Sequence, residues 1–205
     1  MGKRQSVLKQ VVLGNFNELK HRKPKIYDFD SKHYGYVKDV YTNLKGQLDE
    51  IPLNIGNWDV STEKFIIELD EELHFNRYRA ITLTSDLYNN HKSFNPKEYL
   101  LFCNEFETLC LKAGGYGGKW KNNSTEKMFL KSDSFKVLEG NGSSRWKQRA
   151  YYDFVKDIAS MIIDIPVIRI SIYDKYNGST IGELLDANHE NIKPYIMKRI
   201  NSVLN

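Results

Sequence analysis

The stretch Asn57-Trp58-Asp59-Val60-Ser61-Thr62-Glu63-Lys64-Phe65-Ile66-Ile67-Glu68-Leu69-Asp70 constrains the fold more than any other part of the chain. Its hydrophobic period is that of strands, and two short β-type runs flank the polar pair Glu63-Lys64, which is a hairpin signal. With the turn centred on that pair, Thr62 faces Phe65, Ser61 faces Ile66, Val60 faces Ile67 and Asp59 faces Glu68. Directly opposed residues share a face with backbones about 4.5–5.5 Å apart, so the two carboxylates crowd each other. Asp70 joins that face by the period of two, while Phe65, Ile67 and Leu69 take the other and can be buried. A slip of one residue in register would undo the arrangement. Two carboxylates so close repel, and neither can be buried without a partner. A hard divalent cation resolves the conflict, because magnesium takes oxygen ligands from one or two carboxylates together with phosphate and water. The competing reading is a hairpin whose acids face water or pair with lysines.

Helical patterns surround this passage. Residues 5–20 place Val7, Leu8, Val11, Val12, Phe16 and Leu19 at helical spacing, and a second pattern with Tyr36, Val37, Val40, Tyr41 and Leu44 runs to about Leu48. Asn95 as cap and Pro96 in the first turn predict one helix through Ala113. Cys103 and Cys110 lie seven residues apart on its face, about 10 Å by helical rise, too far to bridge. That usage points to a reduced, cytoplasmic protein with no disulfide framework and no four-cysteine zinc site. The glycines of 114–118 leave a helix instead of entering one from a strand, and no GK[ST] follows, so they are not a nucleotide loop. A basic loop insertion is expected over 112–143, then a helix over 144–162, a strand over 167–172 after Pro166, and a last helix from about Glu190.

The expected fold class is α/β (or α+β), with a central mixed sheet flanked by helices in a single domain over 1–205. Its parts are N-terminal helices in 1–50, the hairpin in 51–80, the basic insertion, and a closing helix and strand in 144–173. A content of 40% apolar and 27% charged residues suits a globular core and excludes a disordered chain. No apolar run reaches eighteen residues, which argues against a membrane span, and the basic start lacks the apolar core of a signal peptide. The chain reads as a whole small protein.

Its net charge of +4 is uneven: between Lys112 and Lys156 ten basic residues stand against four acids, so this segment is +6 and the remainder −2. Concentrated positive charge interleaved with Tyr116, Trp120 and Trp146 suits a phosphate backbone, the bland alternative being a lysine-rich solvated face. Lys119, Lys121, Arg145 and Lys147 are the phosphate-contact candidates, with Trp120 to stack a base and Trp58 to pack the hairpin. Arg149, Asp153 and Lys156 are spaced four and three apart and share one helix stripe. That stripe could face the hairpin and add Arg149 and Lys156 to the DNA-binding residues, the alternative being a solvated face with an internal Arg149–Asp153 pair. The opposite stripe, Trp146, Ala150, Phe154, Ile158 and Ile162, is expected to pack on the sheet.

Asp59 followed by Glu68-Leu69-Asp70 on the next strand resembles the metal-binding core of the PD-(D/E)XK nuclease superfamily. The longer run Glu68-Leu69-Asp70-Glu71-Glu72-Leu73-His74 is similar to the E-x-D-G-x-x-H pattern of its very-short-patch-repair-endonuclease-like branch, with Glu71 in place of the glycine. Tyr152-Asp153-Phe154-Val155-Lys156-Asp157, then Ile165-Pro166-Val167-Ile168-Arg169-Ile170, resembles that branch's D-x-x-K-(D) helix and P-x-x-R-I strand. The resemblance spans about half of the chain, 57–80 and 144–173.

It implies a restriction-endonuclease-like fold and magnesium-dependent hydrolysis of double-stranded DNA, with Asp59 and Glu68 as metal ligands. The superfamily's lysine falls at Asp70, which leaves the water-activating group open. His74 is one substitute, as a neutral imidazole acting as base, and Lys147, Arg149 or Lys156 reaching in from the helix is another. A type II restriction enzyme is the favoured reading, and cutting both strands of a palindrome implies a homodimer. The alternative is a nuclease-like DNA-binding protein that does not cut.

Overall fold

The computed structural model describes residues 2–90 and 94–204. Helix α1 (Lys3–Leu13) ends at Gly14, shorter than the helical spacing predicts. The residues beyond it run beside the hairpin: the Leu19 amide donates to the Ser61 carbonyl at 3.0 Å, and Phe16 meets Phe65 edge-on at 4.8 Å. Leu19, predicted to be a core position, is 45% exposed because it belongs to this edge and not to a helix. Helix α2 (Ser31–Asn43) follows, its first turn capped by the Asp30 carboxylate accepting from the His33 amide.

Strands β1 (Val60–Ser61) and β2 (Ile66–Asp70) form the predicted hairpin in the predicted register, Val60 opposite Ile67 and Ser61 opposite Ile66. A short 3-10 turn at Glu72–His74 leads to α3 (Arg77–Leu83), capped by Asn76. The single helix expected from Asn95 to Ala113 is two, α4 (Pro96–Glu105) and α5 (Glu107–Gly114), broken at Phe106. The Phe106 ring stacks on Tyr173 at 3.7 Å, and the bend serves that contact. Cys103 and Cys110 therefore sit on different helices, both buried and both free.

The segment expected to be a basic loop carries two further helices, α6 (Gly117–Trp120) and α7 (Asn123–Phe129). Trp120 is not a stacking platform. It is fully buried, its indole N–H donates to the Asp133 carbonyl at 3.0 Å, and its ring lies edge-on to Trp146 at 5.2 Å.

Helix α8 (Ser144–Ile163) spans the molecule, held at its start by the Ser143 hydroxyl and ended by Asp164 in the left-handed region. Strand β3 (Val167–Ser171) then pairs in parallel with β2, setting Glu68 opposite Arg169 and Asp70 opposite Ser171. The main sheet is thus mixed and three-stranded, in the order β1-β2-β3. A two-stranded ribbon, β4 (Lys175–Tyr176) with β5 (Ser179–Thr180), precedes α9 (Ile181–Asp186) and α10 (Ile192–Leu204).

The orientation of α8 reverses one expectation. Trp146 and Phe154, from the apolar stripe, pack on Trp120 and Tyr88, which lie outside the sheet. The polar stripe instead turns toward β2 and β3, where Lys156 meets Glu68 and the Asp153 carbonyl accepts from Arg169. Polar side chains buried in this way need partners, and the strands supply them. Among the described residues, no helix is long and apolar enough to cross a membrane.

Candidate active site

The hairpin register brings Asp59 and Glu68 together. The Asp59 amide donates to Glu68 Oε1 at 3.3 Å, and the Asp59 carboxylate accepts from the Leu69 amide at 2.8 Å and from Gln5 Nε2 at 2.6 Å. Glu68 is 3% exposed, and Lys156 Nζ reaches it from α8 at 2.6 Å while also donating to the Asn57 carbonyl at 3.0 Å. Of Lys147, Arg149 and Lys156, it is Lys156 that reaches the acids. Burial pushes the Glu68 carboxyl up to about 7 against the attraction of Lys156, and burial raises Asp59 as well. Each carboxylate keeps lone pairs beyond those its bonds occupy. The donor set is hard oxygen only, and an added positive charge would stabilise both ionised acids. These residues fit a magnesium ion.

Asp70 shares the hairpin face but belongs to a second cluster. Arg169, fully buried, donates from Nη1 to Asp70 at 2.7 Å, from Nε to Asp157 at 2.6 Å and from Nη2 to the Asp153 carbonyl at 2.8 Å. Asp157 also accepts from Arg79 at 2.8 Å and from the Tyr88 hydroxyl at 2.6 Å. His74 Nδ1 lies 2.7 Å from Asp153 and 3.3 Å from Asp70. Burial opposes a charged imidazole here, but Asp153 and Asp70 outweigh it and raise its pKa. That direction favours the imidazolium at neutral pH and counts against His74 as a base. Asp70, His74 and Asp153 each offer one atom within 4.8 Å of the others, a grouping that could hold a small cation in place of the shared proton.

A cleft of about 330 Å³ opens beside the acids, lined by Arg145, Arg149, Tyr152, Asp153 and Lys156 from α8, by His74, and by the 54–56 segment. The remaining phosphate-contact candidates fall elsewhere. Lys119 is exposed but donates to the Ala113 carbonyl and the Tyr116 hydroxyl, and Lys121 lies over the Phe135 ring at 5.6 Å. Lys147 is 3% exposed, bonded to the Asn141 amide oxygen and set over the Tyr78 ring, so it cannot meet a phosphate backbone. The internal Arg149–Asp153 pair considered from spacing is replaced by Asp153 with His74 and Arg169. Sequence reasoning missed the structural part of Arg169 and Asp157. The signal was an arginine inside an otherwise apolar strand, which must find buried carboxylates.

Fold and site together define a mixed α/β protein with an acidic hairpin, a helix-borne lysine and a basic cleft. A family model described as a family of unknown function (DUF7255) matches residues 39–187, and the chain belongs to that family. The matched span includes the hairpin, His74 and all of α8. No curated protein and no solved structure matches the chain.

Proposed function

We propose that this protein is a magnesium-dependent endonuclease that hydrolyses phosphodiester bonds of double-stranded DNA, acting as a type II restriction enzyme on a restriction-endonuclease-like fold. The observation that carries the reading is the convergence of Asp59, Glu68 and Lys156 at the hairpin. In this reading Lys156, from α8, would stand in for the lysine that the superfamily sets two residues after the second acid. Asp59 and Glu68 would hold the metal, which supplies Lewis-acid polarisation of the phosphate and a lowered pKa for attacking water. Lys156, kept charged by Glu68, is set to orient that water and to balance charge developing on the phosphate. Arg145 and Arg149, in the adjoining cleft, would receive a phosphate of the DNA. Two copies acting on the two strands of a palindrome would form a homodimer.

Incubation with mixed-sequence DNA and magnesium tests this directly. Discrete fragments support restriction, whereas a mobility shift without cutting favours a DNA-binding protein that does not cleave.

Magnesium binding should be linked to protons. A Glu68 pKa of about 7 means that below pH 7 the metal must displace a proton, so apparent magnesium affinity should fall as pH drops below about 7 and level off above it. Calorimetry in two buffers of different ionisation enthalpy should show proton release at pH 6 and almost none at pH 8.5. Equal proton release at both would remove Glu68 from the ligand set.

Salt dependence separates the basic residues. Arg145→Gln should flatten the slope of log affinity against log salt by about one unit, while the buried Lys147→Gln should leave it unchanged. A flattened slope for Lys147→Gln with none for Arg145→Gln would move the DNA path off this cleft.

A further inference from the structure

We infer that the cleft beside the hairpin is a receptor for a phosphate monoester, the doubly charged group that ends a phosphorylated strand. The oxyanion chemistry stands on the cleft itself; its assignment to a nucleic-acid end rests on the nuclease reading above.

Charge pairing in the cleft carries the argument. Lys156 is paired with Glu68 at 2.6 Å and His74 with Asp153 at 2.7 Å, so these cations are already balanced. Among the described residues Arg145 and Arg149 form no ion pair, although Asp153, which also lines the cleft, attracts Arg149. Arg145 donates to the neutral amide oxygen of Gln148. Arg149 Nη1 is closed off from solvent and has no hydrogen-bond partner among the described residues. The two guanidiniums stand four residues apart on α8, where like charges repel across one helical turn. Burial first, then Arg145, holds the Arg149 guanidinium below its usual range.

A buried, unpartnered N–H on a cation is costly unless an acceptor arrives. Arginine's planar fork matches phosphate oxygens in pairs. A backbone diester brings one negative charge, whereas a monoester approaches two at neutral pH, which is the number of guanidiniums without a counter-charge. At about 330 Å³ the cleft lies at the small end of the ~300–1,000 Å³ range of ligand pockets. It suits one terminal nucleotide, with the Tyr152 ring available to a base.

The test uses the full chain without magnesium. Inorganic phosphate is titrated by calorimetry and in thermal melts at constant ionic strength. Single-stranded oligonucleotides of one sequence, with and without a 5′-phosphate, are compared by fluorescence anisotropy. Phosphate should bind and raise the melting temperature, and the phosphorylated oligonucleotide should bind at least tenfold tighter than its hydroxyl counterpart. Arg149→Met should lose both effects yet melt no lower than the parent protein, because it removes an uncompensated charge; a merely structural arginine would lower the melting temperature. Phosphate binding without a preference for the phosphorylated oligonucleotide overturns the strand-end source in favour of free phosphate. Absence of phosphate binding, or equal binding by Arg149→Met, overturns the receptor. None of these readings uses cleavage, so they stand or fall separately from the nuclease activity.

Discussion

Asp59→Asn and Glu68→Gln are each expected to bring magnesium-dependent DNA cleavage down by more than about 10²-fold, the scale on which a single preorganised electrostatic group acts. Amides are the informative replacements. In Asp59→Asn the side-chain carbonyl would still accept from the Leu69 amide, and in Glu68→Gln it would still accept from Lys156. Each amide keeps one of the two hydrogen bonds its carboxylate accepts and gives up the other, from Gln5 at Asp59 and from the Asp59 amide at Glu68, while the negative charge proposed to hold the metal is lost. Alanine at 68 would instead strand a buried lysine and confuse folding with catalysis. Both amide variants should remain folded in thermal melts, with a loss of stability in Glu68→Gln, where the buried Lys156 loses its paired charge. DNA binding should survive, since one negative charge facing the phosphates has gone. Lys156→Met should lower the rate with magnesium binding retained, which distinguishes a water-orienting group from a ligand. Undiminished cutting by either amide variant, measured across a magnesium titration, would take the active site away from the hairpin.

The largest effect on stability is expected from Arg169→Met. Its guanidinium, fully buried, joins Asp70, Asp157 and the Asp153 carbonyl, and so ties β2, β3 and α8 together. Removing it leaves buried carboxylates without their main counter-charge, a loss of about 3–5 kcal/mol. For a chain of this size that is a drop of roughly 6–20 °C in melting temperature. Replacing Asp70 as well, by Leu, should recover part of the loss, because it removes a buried carboxylate left without its counter-charge, whereas Asp157 keeps Arg79. An Arg169→Met protein that melts within a degree or two of the parent would refute the network's structural role.

The hairpin was legible because its register depends on local alternation and a polar turn, and Val60 opposite Ile67 follows from those alone. Helix α8 and strand β3 were legible for the same reason: a strong period, with Pro166 between them. Phe16 and Leu19 misled because helical spacing continued past Gly14, and only the edge beside β1 explains their place. The break at Phe106 follows from a stack with Tyr173, a residue 67 positions away that no local window contains. Within the site, Asp59 and Glu68 could be paired from strand geometry. The choice among Lys147, Arg149 and Lys156 could not, since it depends on the rotation of α8 about its axis. That rotation is set by Arg79, Arg169 and the carboxylates they neutralise. The buried Trp120 and Lys147 make the same point, because a basic, aromatic-rich segment looks alike whether its side chains line a groove or close a core.

The parallel pairing of β2 with β3 has a consequence for how the molecule comes into being. Glu68 and Lys156 are 88 residues apart, and the strand that carries Arg169 is made last of the three. A growing polypeptide thus emerges from the ribosome with its carboxylates complete and their cationic counterparts still unsynthesised. Long-range closures of this kind are slow steps of folding. A copy terminated before α8 would carry Asp59 and Glu68 without Lys156 or Arg169, and so could assemble neither the acid–lysine site nor the three-stranded sheet behind it.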